Sequence, residues 1–237
     1  MLPSRVVAML LSLLIPTVES RQHLFSRLAE NLNTQIRESR WAHEVEVLHA
    51  LDDGRQSIGE KRNRLIERAS GRFVAFIDDD DEVSTDYVSR ICEAIEKNPT
   101  IDCIGLRGVI TFRGSHPHMF IHSVRFDDYF SRNHAYYRPP YHLNPMRREI
   151  AARYRFRDVS YSEDIEWALR IRRDGALKTE EFVDSVLYYY RSRRWWSYQW
   201  LLDQTESFRH RFGIRLSNRL TPGGAIRSKT RRANAED

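Results

Sequence analysis

Cysteine is scarce in this 237-residue chain: only Cys92 and Cys103 occur. Two such residues build neither a disulfide framework nor a CxxC metal pair, so zinc-finger chemistry is excluded and a reducing, cytoplasmic location is the expectation. Glycine (10) and proline (8) are too few for a collagen-like or low-complexity chain. Long apolar runs are also missing. Val6 to Ile15 spans ten residues, half of the roughly 20 that cross a bilayer, so no transmembrane segment is expected. Arg5 before this run and Ser20 after it give it the outline of a signal peptide. Against that reading, Pro16-Thr17 and the helical pattern behind them continue an α/β alternation that would lose its first strand on cleavage. What is present, 41% hydrophobic and 30% charged residues, describes a globular protein with an ample core.

The net charge is +5, which invites a nucleic-acid reading. Residues 1–146 hold 18 Lys+Arg against 20 Asp+Glu, a balance of −2, whereas residues 147–237 hold 20 against 13, a balance of +7. The basic character therefore belongs to the C-terminal part. The first part contains an acidic run, Asp78-Asp79-Asp80-Asp81-Glu82, and the asymmetry between the two parts requires an explanation.

Apolar periodicity predicts a buried strand over Val6 to Ile15 ended by Pro16. Ser20 would cap a helix with Leu24, Leu28, Leu32 and Ile36 at four-residue spacing. A strand follows around Val45 to Leu51, then an Asp52-Asp53-Gly54 turn and a helix with Ile58, Leu65, Ile66 and Ala69, ended by Gly71. Phe73 to Ile77 is a third apolar run that stops on the aspartates. Strand, helix, strand, helix, strand implies right-handed crossovers and a parallel sheet, with ligands beyond the carboxyl ends of the strands. Further on, Ser84 would cap a helix with Tyr87, Val88, Ile91 and Ile95, and Ile101 to Leu106 and Val109 to Phe112 read as strands. Residues 113–145 show no period and read as a long irregular segment. A helix near Ser162, a strand over Phe182 to Tyr190, an aromatic helix over Trp196 to Phe208 and a mobile basic tail over 221–237 complete the pattern.

Four consecutive aspartates after a buried strand repel one another unless something cationic is bound. Carboxylates are preferred ligands of hard divalent cations, and magnesium or manganese sites commonly combine one or two of them with substrate phosphates. The plainer alternative is a solvated acidic turn before the next helix.

Pro16-Thr17, Asp52-Asp53-Gly54, Gly59-Glu60-Lys61-Arg62-Asn63 and Phe76-Ile77-Asp78-Asp79-Asp80-Asp81 together resemble the nucleotide-sugar half of family 2 glycosyltransferases. Tyr161-Ser162-Glu163-Asp164-Ile165-Glu166-Trp167 resembles that family's Glu-Asp motif. The resemblance implies an α/β, Rossmann-like GT-A fold: a mostly parallel sheet with flanking helices over residues 1–190, with a donor half at about 6–112 and an acceptor half at about 113–190. A C-terminal helical appendage, aromatic and basic, would occupy 191–220. The resemblance further implies that Pro16, Thr17 and Glu19 border the base and ribose and that Asp53 reads the pyrimidine ring. Lys61, Arg62 and Asn63 would line the nucleotide pocket. Asp78 and Asp80 take the Asp-x-Asp positions, Asp80 as direct metal ligand and Asp78 nearer the ribose, with Asp79 beside them; the register within the run stays open. Asp164 would be the base, and Glu163 would orient it or raise its proton affinity. The implied reaction is a metal-dependent (Mn2+ or Mg2+), inverting transfer of one sugar from a nucleotide sugar, a UDP-sugar first among donors, to an acceptor hydroxyl.

Other residues keep other readings open. His116, His118, His122, His134 and His142 include a His-x-His spacing that could bind zinc or line an acceptor loop. Arg191, Arg193, Arg194, Trp195, Trp196, Tyr198 and Trp200 could pack as a helix or contact a membrane surface or nucleic acid peripherally. Arg191-Ser192-Arg193-Arg194-Trp195 lacks the Gln of the processive Gln-x-x-Arg-Trp motif, which favours single transfers. A nucleic-acid-binding protein using the basic C-terminal region is the non-enzymatic alternative. A nucleotidyltransferase is the other enzymatic one, though Pro16-Thr17-Val18-Glu19 is unlike a phosphate loop.

Overall fold

A computed structural model describes residues 8–133 and 135–192. The chain divides into two units, Met1–Ser197 and Tyr198–Asp237; the predicted aromatic helix, the basic tail and His134 lie outside the described residues. At the centre, β1 (Leu11–Val18) runs parallel to β2 (Val45–Asp52) on one side and to β3 (Phe73–Phe76) on the other. Leu11, Leu13, Leu14 and Ile15 are fully buried, because helices cover both faces and no polar alternation is needed. The strand does not end at Pro16 as the sequence suggested. Its pairing with β3 covers only Leu11 to Leu14, whereas Pro16 is paired to Ala50 of β2 alone. There the imide has one neighbour strand rather than two, the edge-like position that proline tolerates.

A short turn of 3-10 helix, Glu19–Arg21, leads into α1 (Gln22–Glu38), so Ser20 sits inside that turn and no side chain caps α1. Leu28, Leu32 and Ile36 bury the expected face. α2 (Ile58–Arg68) is capped by Ser57, whose hydroxyl accepts from the Glu60 amide at 3.0 Å. It closes at Ala69 rather than at Gly71. Gly71 serves the crossing of two backbones instead. A Cβ there would lie 2.5 Å from the Ser12 amide nitrogen, so the chain can pass β1 only without a side chain.

β4 (Glu82–Val83) precedes α3 (Tyr87–Lys97), where Tyr87, Val88, Ile91 and Ile95 are fully buried. Ser84 contributes its carbonyl to the Tyr87 amide at 3.2 Å, not a side-chain cap. The two strands expected between 101 and 112 are one, β5 (Cys103–Phe112). The segment expected to be irregular carries β6 (Ser115–His122), β7 (Phe130–Arg132) and β8 (Ala135–Arg138). Three-dimensional pairing explains the discrepancy. β6 pairs antiparallel with β5 and parallel with β8, and Phe120 lies over Gly108, where a Cβ would come within 2.0 Å of the ring.

β9 (Met146–Arg147) inserts antiparallel between β3 and β5 and joins the two parts of the sheet. After α4 (Arg148–Ala151), α5 (Glu163–Arg173) buries Trp167 and Ile171, and β10 (Glu180–Ser192) runs parallel to β5 and antiparallel to β4. The order β2-β1-β3-β9-β5-β6-β8-β7, with β10 beside β5, makes a mixed sheet flanked by helices. Its parallel core is the expected α/β architecture.

Candidate active site

The acidic run begins one residue after β3 has ended. The Ile77 amide still donates to Leu14 of β1 (3.0 Å), after which the Asp81 amide donates to the Asp78 carbonyl (3.1 Å) in a tight turn. Tyr188 of β10 clamps that turn. Its hydroxyl accepts from the Asp78 amide at 3.1 Å and donates to the Asp81 carboxylate at 2.8 Å. Burial, reinforced by the neighbouring Asp78 charge, pushes the Asp81 carboxyl well above the usual carboxylate range. Asp81 is thus a fastening for the turn, bonded also to the Arg191 amide at 3.0 Å.

Asp78 has the opposite character. Burial would raise it, but the Arg62 guanidinium and His142 override that and hold its carboxyl far below the usual range. Arg62 is the hub of the site. Its side chain is buried, 3.0 Å from Asp78, 2.7 Å from Glu163 and 3.9 Å from Asp164. The Phe76 and Phe156 rings flank the guanidinium at 5.6 and 5.5 Å. Glu163 is itself buried, and desolvation outweighs the attraction of Arg62, so its carboxyl is pushed up to about 6. Asp164, one residue into the same helix, is 21% exposed and accepts from the Ile165 amide at 2.7 Å. His142 lies between the two accessible carboxylates, Nε2 3.5 Å from Asp78 and Nδ1 3.5 Å from Asp164. Burial, then Arg62, lowers its pKa, so the imidazole is neutral near pH 7.

Around β1 the pattern of pairing continues. Asp79 is buried and accepts from the Thr17 hydroxyl at 2.6 Å, and Arg21 contacts both Asp79 and Asp80, the latter at 2.8 Å. Burial, with the adjacent Asp80 charge, raises the Asp79 carboxyl. Glu19 is exposed beside Arg21. The buried Lys61 ammonium binds the Thr17 carbonyl (2.9 Å) and Asp52 (2.6 Å), tying the ends of β1 and β2 together. Asp52 also accepts from the Gly54 and Gln56 amides and so shapes the loop that leaves Asp53 exposed. Asn63 exchanges two hydrogen bonds with Phe156, at 2.9 and 2.8 Å. Gly59 lets the 157–159 segment cross α2, since a Cβ would lie 1.8 Å from the Arg157 carbonyl oxygen.

The fold therefore gathers Thr17, Arg62, Asp78, Asp79, Asp80, Glu163 and Asp164 at one end of the sheet. Lys61 and Asn63 stand behind that surface as ties, and Pro16 lies within β1. Three partners escaped the sequence reading of the donor site: Arg21, His142 and Tyr188. His142, ahead of the Glu-Asp helix, was expected on the acceptor side, and Tyr188 carried no signal, because its partners are more than a hundred residues away in the chain. Among the described residues, five carboxylates, Asp78, Asp79, Asp80, Glu163 and Asp164, share two arginines, Arg21 and Arg62, in the ion pairs formed here. Among the described residues no group of three or more His, Cys, Asp or Glu side chains is arranged to hold a metal unaided. Zinc on the histidines is not supported there. A hard cation held here would need phosphate oxygens to complete its shell beside the partly exposed Asp80 carboxylate, which pairs with Arg21 at 2.8 Å.

A mixed α/β sheet with acidic loops beyond its parallel strands and a Glu-Asp pair opening a nearby helix has the architecture of the GT-A fold. The glycosyl transferase family 2 model matches residues 43–156, a little under half of the chain. Among solved structures, S. aureus TarS residues 1–349 align at a TM-score of 0.53 and 15% identity, covering 77% of this chain and 60% of that one. The same protein in complex with UDP-GlcNAc aligns at 0.55 and 14%, covering 78% and 59%. In complex with UDP it aligns at 0.53 and 15%, covering 77% and 60%. This chain thus spans about three fifths of that structure's length, and at such identity the likeness establishes the fold. No curated protein matches the sequence. No helix among the described residues is long and apolar enough to cross a membrane.

Proposed function

We propose that the protein transfers one sugar from a nucleoside-diphosphate sugar, a UDP-sugar first among candidates, to an acceptor hydroxyl with inversion at the anomeric carbon. The observation behind this is the charge imbalance at the sheet's end, where clustered carboxylates stand against two arginines. A diphosphate alone would be repelled from such a surface, whereas a diphosphate accompanied by a divalent cation is attracted to it. Bound Mn2+ or Mg2+ would supply charge neutralisation for the departing diphosphate.

In this reading Pro16, Thr17 and Glu19 border the base and ribose, Asp53 takes the pyrimidine ring, and Asp78 faces the ribose. Lys61 and Asn63 act by holding the loops of that pocket in place, and Asp79 by fixing Arg21 and Thr17. Asp80 is the residue that would hold the cation. Asp164 removes the proton from the acceptor hydroxyl as that oxygen bonds to the anomeric carbon. The bond from that carbon to the diphosphate oxygen breaks in the same displacement, and the electron pair leaves with the nucleoside diphosphate. Glu163 does not reach substrate; it is a positioning residue that, with Asp78, anchors Arg62 beside Asp164. The neighbouring TarS complex with UDP-GlcNAc supports that nucleotide sugar as the first donor to test.

The test is UDP release from UDP-GlcNAc in the presence of Mn2+, with water as the slow acceptor. Asp164→Asn should lower turnover by about 10^2 to 10^4-fold, the usual worth of a positioned base, while leaving UDP binding unchanged. Equal turnover in the variant would remove Asp164 from that role.

A further inference from the structure

Arg138, the last residue of β8, is a cation in a setting unlike that of Lys61, Arg21 or Arg62. Its guanidinium carbon lies 5.4 Å from the Tyr129 ring centroid and 5.6 Å from that of Tyr141. Its Nε is buried without a hydrogen-bond partner, and among the described residues it forms no ion pair with a carboxylate. Two aromatic faces hold the planar group and leave its N–H edge without an acceptor, and that edge matches a phosphate or carboxylate bidentately.

The position of Arg138 says which substrate could reach it. The Tyr141 ring is 4.5 Å from the His142 ring, whose Nδ1 is 3.5 Å from Asp164. Tyr141 also hydrogen-bonds the Asp164 side chain, so a single phenol separates Arg138 from the proposed base. Within the sheet, β8 lies on the far side of β5 and β6 from β1 and β2, whose ends carry the nucleotide loops. An anion at Arg138 belongs to the molecule that presents its hydroxyl to Asp164, not to the donor.

We propose that Arg138 is the anion-binding residue of an acceptor subsite, and that the acceptor carries a phosphate ester or a carboxylate near its reacting hydroxyl. This rests on the assignment of Asp164 as the base.

Small probes test the subsite directly. Glycerol 3-phosphate, glycerate and glycerol are titrated into the full-length protein, with and without saturating UDP and Mn2+, by ligand-observed NMR. At least one of the two anions should bind no less than tenfold tighter than glycerol, without displacing UDP, and the one that does identifies the anionic group. Arg138→Gln should reduce that anion to the level of glycerol and Arg138→Lys should retain part of the difference. UDP affinity should stay unchanged in both variants, which also shows that they fold. Equal binding of anions and glycerol, displacement of UDP by the anions, or full anion binding by Arg138→Gln would each overturn the proposal. Failure of UDP itself to bind would strike the donor reading instead, and the titrations without UDP would still decide the fate of Arg138.

Discussion

At the ends of β1 and β3, carboxylates and cations are knitted to one another: Lys61 to Asp52, Arg21 to Asp79 and Asp80, Arg62 to Asp78 and Glu163. Around β6, β7 and β8 the contacts are aromatic instead, with Phe130 stacked on Tyr137 at 4.9 Å and Phe126 edge-on to both. The first region spends its polar groups on a fixed electrostatic shape, and a change in any member leaves a buried charge behind. The second is held by ring packing, which depends little on charge and can hold Arg138 without a carboxylate. The proposed reaction would use this division, with the donor side holding a diphosphate rigidly and the acceptor side selecting which hydroxyl arrives.

The sharpest break of that contrast is Arg62→Ala. It leaves Asp78, Glu163 and Asp164 without their shared cation, and removing one partner of a buried ionic cluster costs about 3 to 5 kcal/mol. Urea denaturation should show that loss together with loss of UDP binding. Next in size is the pH response of Glu163. Its carboxyl, pushed up to about 6 by burial from an ordinary 4.5, favours the folded state while protonated, and that contribution is lost as pH rises between those values. A tenfold change in proton affinity is worth about 1.4 kcal/mol, so the wild type should lose up to about 2 kcal/mol relative to Glu163→Gln across that window. Parallel melts at pH 4.5 and 7 measure it, and a difference that stays flat would put Glu163 in a more solvated setting. The smallest effect belongs to the aromatic side. Phe130→Ala forfeits a ring stack worth about 1 kcal/mol, visible as a modest fall in melting temperature, with UDP affinity untouched. An equal loss of UDP binding there would erase the distinction between the two regions.

Much of the first region could be read from the chain because its signals are local. Unbroken apolar runs mark β1 and β3, Ser57 and Glu60 mark the start of α2, and the aspartates follow directly on β3. Little of the second could be read. β6 and β8 are strands because β5 pairs with one and that one pairs with the other, and their His, Tyr and Arg residues alternate in no pattern that a period of two would reveal. The roles of Tyr188 and Arg21 were hidden for a similar reason, since their partners on the acidic turn lie 110 and 58 positions away. Gly71 misled because the residue at a helix end and the residue allowing a close backbone pass look alike in one dimension.

The central claim is that the acidic end of the sheet takes a nucleoside diphosphate together with a divalent cation. Calorimetric titration of UDP into the protein, with Mn2+ and with EDTA in its place, tests it most directly. Binding should be clear with Mn2+ and at least tenfold weaker with EDTA, and Asp80→Asn should abolish the difference. UDP binding of equal strength in both conditions, or none in either, would contradict the account.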